Sequence, residues 1–218
     1  MTSTGRKGAI WGSTGLQSLT LLARPEMICY ELAMRWWLLT TTTYGTWLPG
    51  NPRGSVTSVR DRREGEALSS VRKEHDRPGE EWESEMPGLT RAAQKAMCGP
   101  SVELDLRAAE AVLDQLRETA GHRRWQLEAV SIMPTHFHVV TAAPFEIDGD
   151  KLLGDYKAYA SRKLNRLCGR PASDQWWTDK GSTRPLYDDA AVAAAVHYAL
   201  YKQPNPLVVW SRTHGRLI

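Results

Sequence analysis

Apolar positions along this chain recur at two different periods, and the places where the period changes outline its elements. The stretch "RWWLLTTTTYG", residues 35–45, crowds aromatic and β-branched residues and stops at a glycine, which predicts a buried strand. In "SVELDLRAAEAVLDQLRETAG" the apolar positions Leu106, Ala109, Val112, Leu113 and Leu116 fall at helical spacing. Ser101 is placed to cap that helix and Gly121 to end it. "RRWQLEAVSIM" and "HFHVVTAAP" read as two strands with only Pro134 and Thr135 between them, hence an antiparallel hairpin. A second helix follows in "DGDKLLGDYKAYASRKLNRLCG", with Leu153, Tyr156, Ala160, Leu164 and Leu167 on one stripe and Lys151, Arg162 and Arg166 opposite. "WWTDKGSTRPLY" holds a turn and a short extended piece, "DDAAVAAAVHYALYKQ" a third helix that starts acidic and ends before Pro204, and "PLVVWSR" a last short strand. This order predicts an α+β fold: a ferredoxin-like split βαβ sandwich whose antiparallel sheet is covered by helices on one face, plus a C-terminal helix.

Two regions break the pattern. Residues 1–28 sustain no period and read as a loose N-terminal extension, or as sequence upstream of a start at Met27 or Met34. Ordered structure is expected from about Tyr30, so that residues 29–218 form one domain. That domain carries a long excursion at about 50–100, rich in Gly, Pro and mixed charge, with a short helix at 90–97.

Composition narrows the class only slightly. Lys and Arg number 28 against 25 Asp and Glu, a net charge of +3 and a mild pointer to an anionic partner. Three widely spaced cysteines, without a CxxC pair, argue against a disulfide scaffold or a structural zinc and fit a reducing cytoplasm. A basic start followed by an apolar run near the N-terminus is interrupted by Gly, Ser, Thr and Gln, and no run of about 18 apolar residues exists, so neither secretion nor membrane insertion is expected.

The chemistry gathers in "IMPTHFHVVTAAP". A strand puts residues i and i+2 on one face, so His136 and His138 point together while Phe137 enters the core. Two neutral imidazoles so placed can converge on one divalent ion; the plainer reading is two polar residues on a wet sheet face. The apolar run that continues through Val139, Val140 and Ala142 favours a central strand over a wet one. On the last helix Tyr198 and Tyr201 lie off the stripe of Val192, Val196, Ala199 and Leu200, either as surface aromatics or as placed phenols. Lys202 follows Tyr198 by one turn, where its charge lowers the cost of a phenolate or meets a phosphate.

Taken together, "WWLLTTTTYGTWLPGNPRGSV", "WQLEAVSIMPTHFHVV", "LGDYKAYASRKLNR" and "WWTDKGSTRPLYDDAAVAAAVHYALYKQ", in this order over most of residues 30–210, resemble the HUH-class single-tyrosine transposases, including the REP-associated tyrosine transposases. The resemblance implies an enzyme that binds single-stranded DNA at the foot of a hairpin and attacks a phosphodiester with a helix-borne tyrosine, leaving a 5′-phosphotyrosine and a free 3′-OH. It implies Tyr198 as nucleophile, His136 and His138 as ligands of Mg²⁺ or Mn²⁺, and a homodimer in which the tyrosine serves either its own or the partner's histidines. The amide that completes the metal site in that family stands one turn after the tyrosine; here that position is Lys202, and the amide, Gln203, comes one residue later. Pro204 disfavours helix at the preceding residue, which gives Gln203 a route to the ion as third ligand.

For DNA contacts the sequence offers Arg162, Lys163 and Arg166 as a phosphate track, Ser182, Thr183 and Arg184 of "GSTR" to grip a backbone, and Lys202 near the tyrosine. Nine tryptophans is a high count, and Trp47, Trp176 and Trp177 are candidates to stack on unpaired bases. Two rival expectations stay open: a nucleic-acid-binding module on the same fold that lacks chemistry, and a metal-dependent phosphohydrolase that uses water and does not need Tyr198.

Overall fold

The computed structural model describes residues 33–51, 59–60, 72–73 and 87–218. The expected N-terminal extension and most of the expected excursion at 50–100 lie outside the described residues. The remainder belongs to one compact unit, Leu32–Ile218.

Its elements in chain order are β1 (Met34–Thr42), β2 (Val59–Arg60), β3 (Arg72–Lys73), α1 (Pro87–Lys95), α2 (Leu106–Arg123), β4 (Gln126–Ile132), β5 (His136–Pro144), α3 (Gly149–Cys168), β6 (Ser182–Leu186), α4 (Asp189–Tyr201), β7 (Val208–Ser211) and β8 (Gly215–Arg216). Six of the strands form one antiparallel sheet in the order β6-β1-β5-β4-β7-β8, and β2 pairs with β3 in a two-stranded sheet. Within that sheet β1-α2-β4 and β5-α3-β6 are interleaved βαβ units, which is the split βαβ topology expected, extended past β4 by β7 and β8.

Alternation of side chains assigns the two faces. Trp37, Leu39, Phe137, Val139, Val130 and Ile132 point to one side and form the main core with Val112 and Leu116 of α2 and Leu152, Tyr156, Ala160 and Leu164 of α3. The other side carries Trp36, Leu38, Val140, Ala129 and Leu186, and α4 covers it with Ala195, Ala199, Val192, Val196 and Leu200. The helix that carries Tyr198 therefore lies against the face opposite α2 and α3.

Local chemistry explains where elements begin and end. Asp105, not Ser101, caps α2, its carboxylate accepting from the Ala108 N–H at 2.7 Å. The chain stays extended until then because the Val102 and Leu104 N–H groups donate to the carbonyls of Tyr44 and Pro134, and both side chains enter the core. Gly121 does not stop the helix, which runs on to Arg123 and ends at Arg124 in the left-handed region, φ 56°. The hairpin between β4 and β5 has the two-residue loop expected, closed by the Met133 N–H donating to the His136 carbonyl at 2.8 Å. Among the described residues no helix is long and apolar enough to cross a membrane.

Candidate active site

The register of the sheet builds the site floor. Ser182, Thr40, His138 and Ser131 are aligned across four neighbouring strands, and strand alternation turns all four toward α4. This polar row lies next to the apolar patch of Leu38, Val140 and Ala129 on the same face. His136 is two positions along β5 from His138, beside Thr42 of β1. The two imidazole rings stand 5.1 Å apart, centre to centre, at 84°. Each is held through Nδ1 by a threonine hydroxyl: Thr40 Oγ1 lies 2.7 Å from His138 and Thr135 Oγ1 lies 3.0 Å from His136.

From above, α4 supplies the phenol. Asp188 caps the helix by accepting from the Ala191 N–H, and its alanine-rich core side settles closely on the sheet. Tyr198 then falls at the flank, its ring 5.2 Å from that of His138 at 73°. It touches the imidazole while 43% of it remains exposed, so the phenol is both positioned and open to a large substrate. Past the helix end Lys202 is the cap, and its N–H donates to the Tyr198 carbonyl at 3.2 Å. Gln203 lies outside the helix; its side-chain nitrogen donates to the same carbonyl at 3.2 Å, and its side chain also hydrogen-bonds His138. Pro204 stops the helix from winding Gln203 away, as its position predicts.

Burial, and then the neighbouring His136, push the His138 imidazole down to about 4, partly offset by the hydrogen bond to Gln203. His138 is thus neutral at physiological pH, the form that ligates a metal. Two imidazoles sharing one ion through ring nitrogens at about 2.1 Å have ring centres roughly 5 Å apart, and the observed 5.1 Å matches this spacing. Two imidazole nitrogens and an amide oxygen suit a borderline or hard divalent cation. Among the described residues no group of three or more His, Cys, Asp and Glu could hold a metal, so an ion at this pair would complete its shell with the Gln203 amide, water or phosphate.

The other residues expected at the site divide. Trp47 reaches it, its ring 6.3 Å from His136 and edge-on. Ser182 and Arg184 are exposed on the α4 face of edge strand β6, Ser182 two strands from His138, about 10 Å at ordinary strand spacing. Thr183 between them faces the opposite side, where its hydroxyl donates to Asp150 at 2.9 Å; three consecutive strand residues cannot all grip one ligand. Arg162, Lys163 and Arg166 belong to α3, on the far layer, where the Arg162 guanidinium sits 4.8 Å from the centre of the Tyr159 ring. The structure does not bring them to the histidines.

Trp176 and Trp177 are not base-stacking surfaces. Trp177 is buried at 5% exposure with its ring 5.2 Å from Phe137, and Trp176 donates from Nε1 to Asn165 at 2.7 Å. Both join the main core. Trp177→Ala should therefore destabilise the fold by about 3–5 kcal/mol, read from the urea midpoint; a loss of DNA affinity with unchanged stability would return it to the surface.

No protein-family model matches the chain, and no curated protein matches it. Among solved structures it is similar to a REP-associated tyrosine transposase bound to a REP hairpin, at 13% identity and a TM-score of 0.35. The match covers 76% of this chain and spans 64% of the length of that one. So loose an overlap transfers no residue roles, and the site stands on its own geometry.

Proposed function

We propose that this chain is a metal-dependent single-stranded DNA transesterase, transposase-like in chemistry, that cuts and rejoins strands through a 5′-phosphotyrosine. The observation that carries the reading is the meeting of Tyr198, His138 and Gln203: an exposed phenol against a buried neutral imidazole that also binds an amide. In this reading the Tyr198 oxygen attacks phosphorus and the 3′-oxygen leaves with a proton as the new hydroxyl. The diester energy is kept in the phosphotyrosine, so no nucleotide cofactor is needed. A magnesium or manganese ion, held by His136, His138 and the Gln203 amide, would polarise the non-bridging phosphate oxygens. Trp47 beside His136 offers a face for an unpaired base, and Ser182, Arg184 and Lys202 offer donors for the strand's phosphates.

The test is incubation with single-stranded hairpin DNA and Mn²⁺ or Mg²⁺, followed by denaturing electrophoresis. The reading expects a covalent protein–DNA band. Cleavage without that band supports the phosphohydrolase, and binding without cleavage supports the inactive module. Because the three groups come from one chain, a mixture of Tyr198→Phe and His138→Ala proteins should form no adduct. Recovery of the band on mixing would show the tyrosine serving a second copy.

A further inference from the structure

We propose that Thr40 and Thr135 are the positioning residues of the histidine pair, each holding one imidazole at Nδ1 so that Nε2 is the nitrogen presented to a divalent ion. The inference rests on the metal-dependent reading above.

A neutral imidazole carries one N–H, and which nitrogen carries it decides which can ligate. A hydroxyl oxygen accepting from Nδ1–H leaves the lone pair on Nε2. Thr40 meets that need for His138 at 2.7 Å and Thr135 for His136 at 3.0 Å. Both hydroxyls are held in place. Thr40 lies in β1 between β5 and β6, opposite His138 on one side and Ser182 on the other, so its backbone is fixed from both edges. Thr135 sits in the two-residue turn, and its carbonyl accepts from the Thr43 N–H at 2.8 Å, the Thr43 hydroxyl at 3.1 Å and the Thr46 hydroxyl at 3.3 Å.

This arrangement gives two members of the run "TTTT" at 40–43, Thr40 and Thr43, a role beyond strand preference. Thr41 and Thr43 are buried, and Thr41 faces the main core. Thr42 stands opposite His136 but pairs with the Thr178 hydroxyl at 3.1 Å, whereas Thr135, in the turn, reaches the His136 ring. Thr40 and Thr43 thus support the two histidines by separate routes, one directly and one through the turn.

The test uses the full chain carrying Thr40→Val, Thr40→Ser, Thr135→Val or His138→Ala, with two readouts other than activity. These are Mn²⁺ affinity by electron paramagnetic resonance and the imidazole tautomer by ¹⁵N NMR of the Mg²⁺-saturated protein. Valine keeps the shape and strand preference of threonine and deletes only the oxygen. Thr40→Val should weaken Mn²⁺ binding by about 10–100-fold and reduce the Nδ1–H tautomer of His138, and Thr135→Val should do the same for His136. Thr40→Ser should stay within about 3-fold of the wild type, because the acceptor survives. Thr40→Val binding Mn²⁺ as tightly as the wild type, or Thr40→Ser failing as badly as valine, would overturn the inference while leaving the metal site intact. Wild-type protein binding Mn²⁺ no better than His138→Ala would instead sink the metal reading, and this inference with it.

Discussion

Tyr198→Phe should abolish the covalent protein–DNA adduct while leaving the fold and hairpin binding in place. The substitution removes one oxygen from a ring that is 43% exposed, so no buried donor is orphaned and stability should change by no more than about 0.5 kcal/mol. The aromatic contact with His138 survives, because the ring faces persist. What is lost is the proposed nucleophile, and adduct formation should drop at least roughly 10³-fold, to the floor of a gel assay. The control is Tyr201→Phe, one turn along the helix, where the phenol sits against His197 with ring centres 5.4 Å apart and away from the histidine pair. It should behave as wild type. An adduct that survives Tyr198→Phe and disappears in Tyr201→Phe would move the nucleophile to the second tyrosine.

Removing either imidazole should be nearly as severe, by a different route. His138→Ala deletes one of the two imidazoles at the site, strands the Thr40 hydroxyl and the Gln203 amide, and leaves Tyr198 without the group it rests on. His136→Ala, at the half-buried start of β5, does less to the packing and is the cleaner variant. Both should reduce Mn²⁺ affinity by about 100-fold or more and adduct formation by about 10³-fold. They should differ in stability, with His138→Ala lower by about 1–3 kcal/mol. Measuring metal affinity, adduct yield and the urea midpoint on both proteins separates these contributions. Full adduct yield in His136→Ala at saturating DNA would mean that the pair is not part of the chemistry.

Much of this site is legible in the chain because its parts obey local rules. His136 and His138 share a face through strand period alone, and Pro204 forces the helix to end before Gln203 whatever else surrounds it. The order of elements suffices for the split βαβ arrangement. The parts that were illegible depend on distant partners. Trp176 and Trp177 sit among polar and glycine residues, a setting that reads as surface, yet a bridge from Trp177 to Thr43 and contact with Phe137 draw them inward. Ser101 is as good a cap by type as Asp105, and only the docking of Val102 and Leu104 decides between them. Thr183 is the exception: strand alternation alone separates it from Ser182 and Arg184. The threonine run concealed its meaning because the bond from Thr40 to His138 crosses 98 residues of sequence.

The position of α4 between its neighbours has a topological consequence. The helix leaves β6, on one edge of the sheet, after only Tyr187 and Asp188, and returns through residues 202–207 to β7, which is zipped to β4 on the other side. The return is pinned further by the Leu207 N–H on the Ile132 carbonyl. A helix slung between two strands of its own sheet cannot be lent to a second molecule by swinging a loop. Lending it would require β7 and β8 to peel off β4, so any exchange of tyrosines between copies must carry those strands along with it.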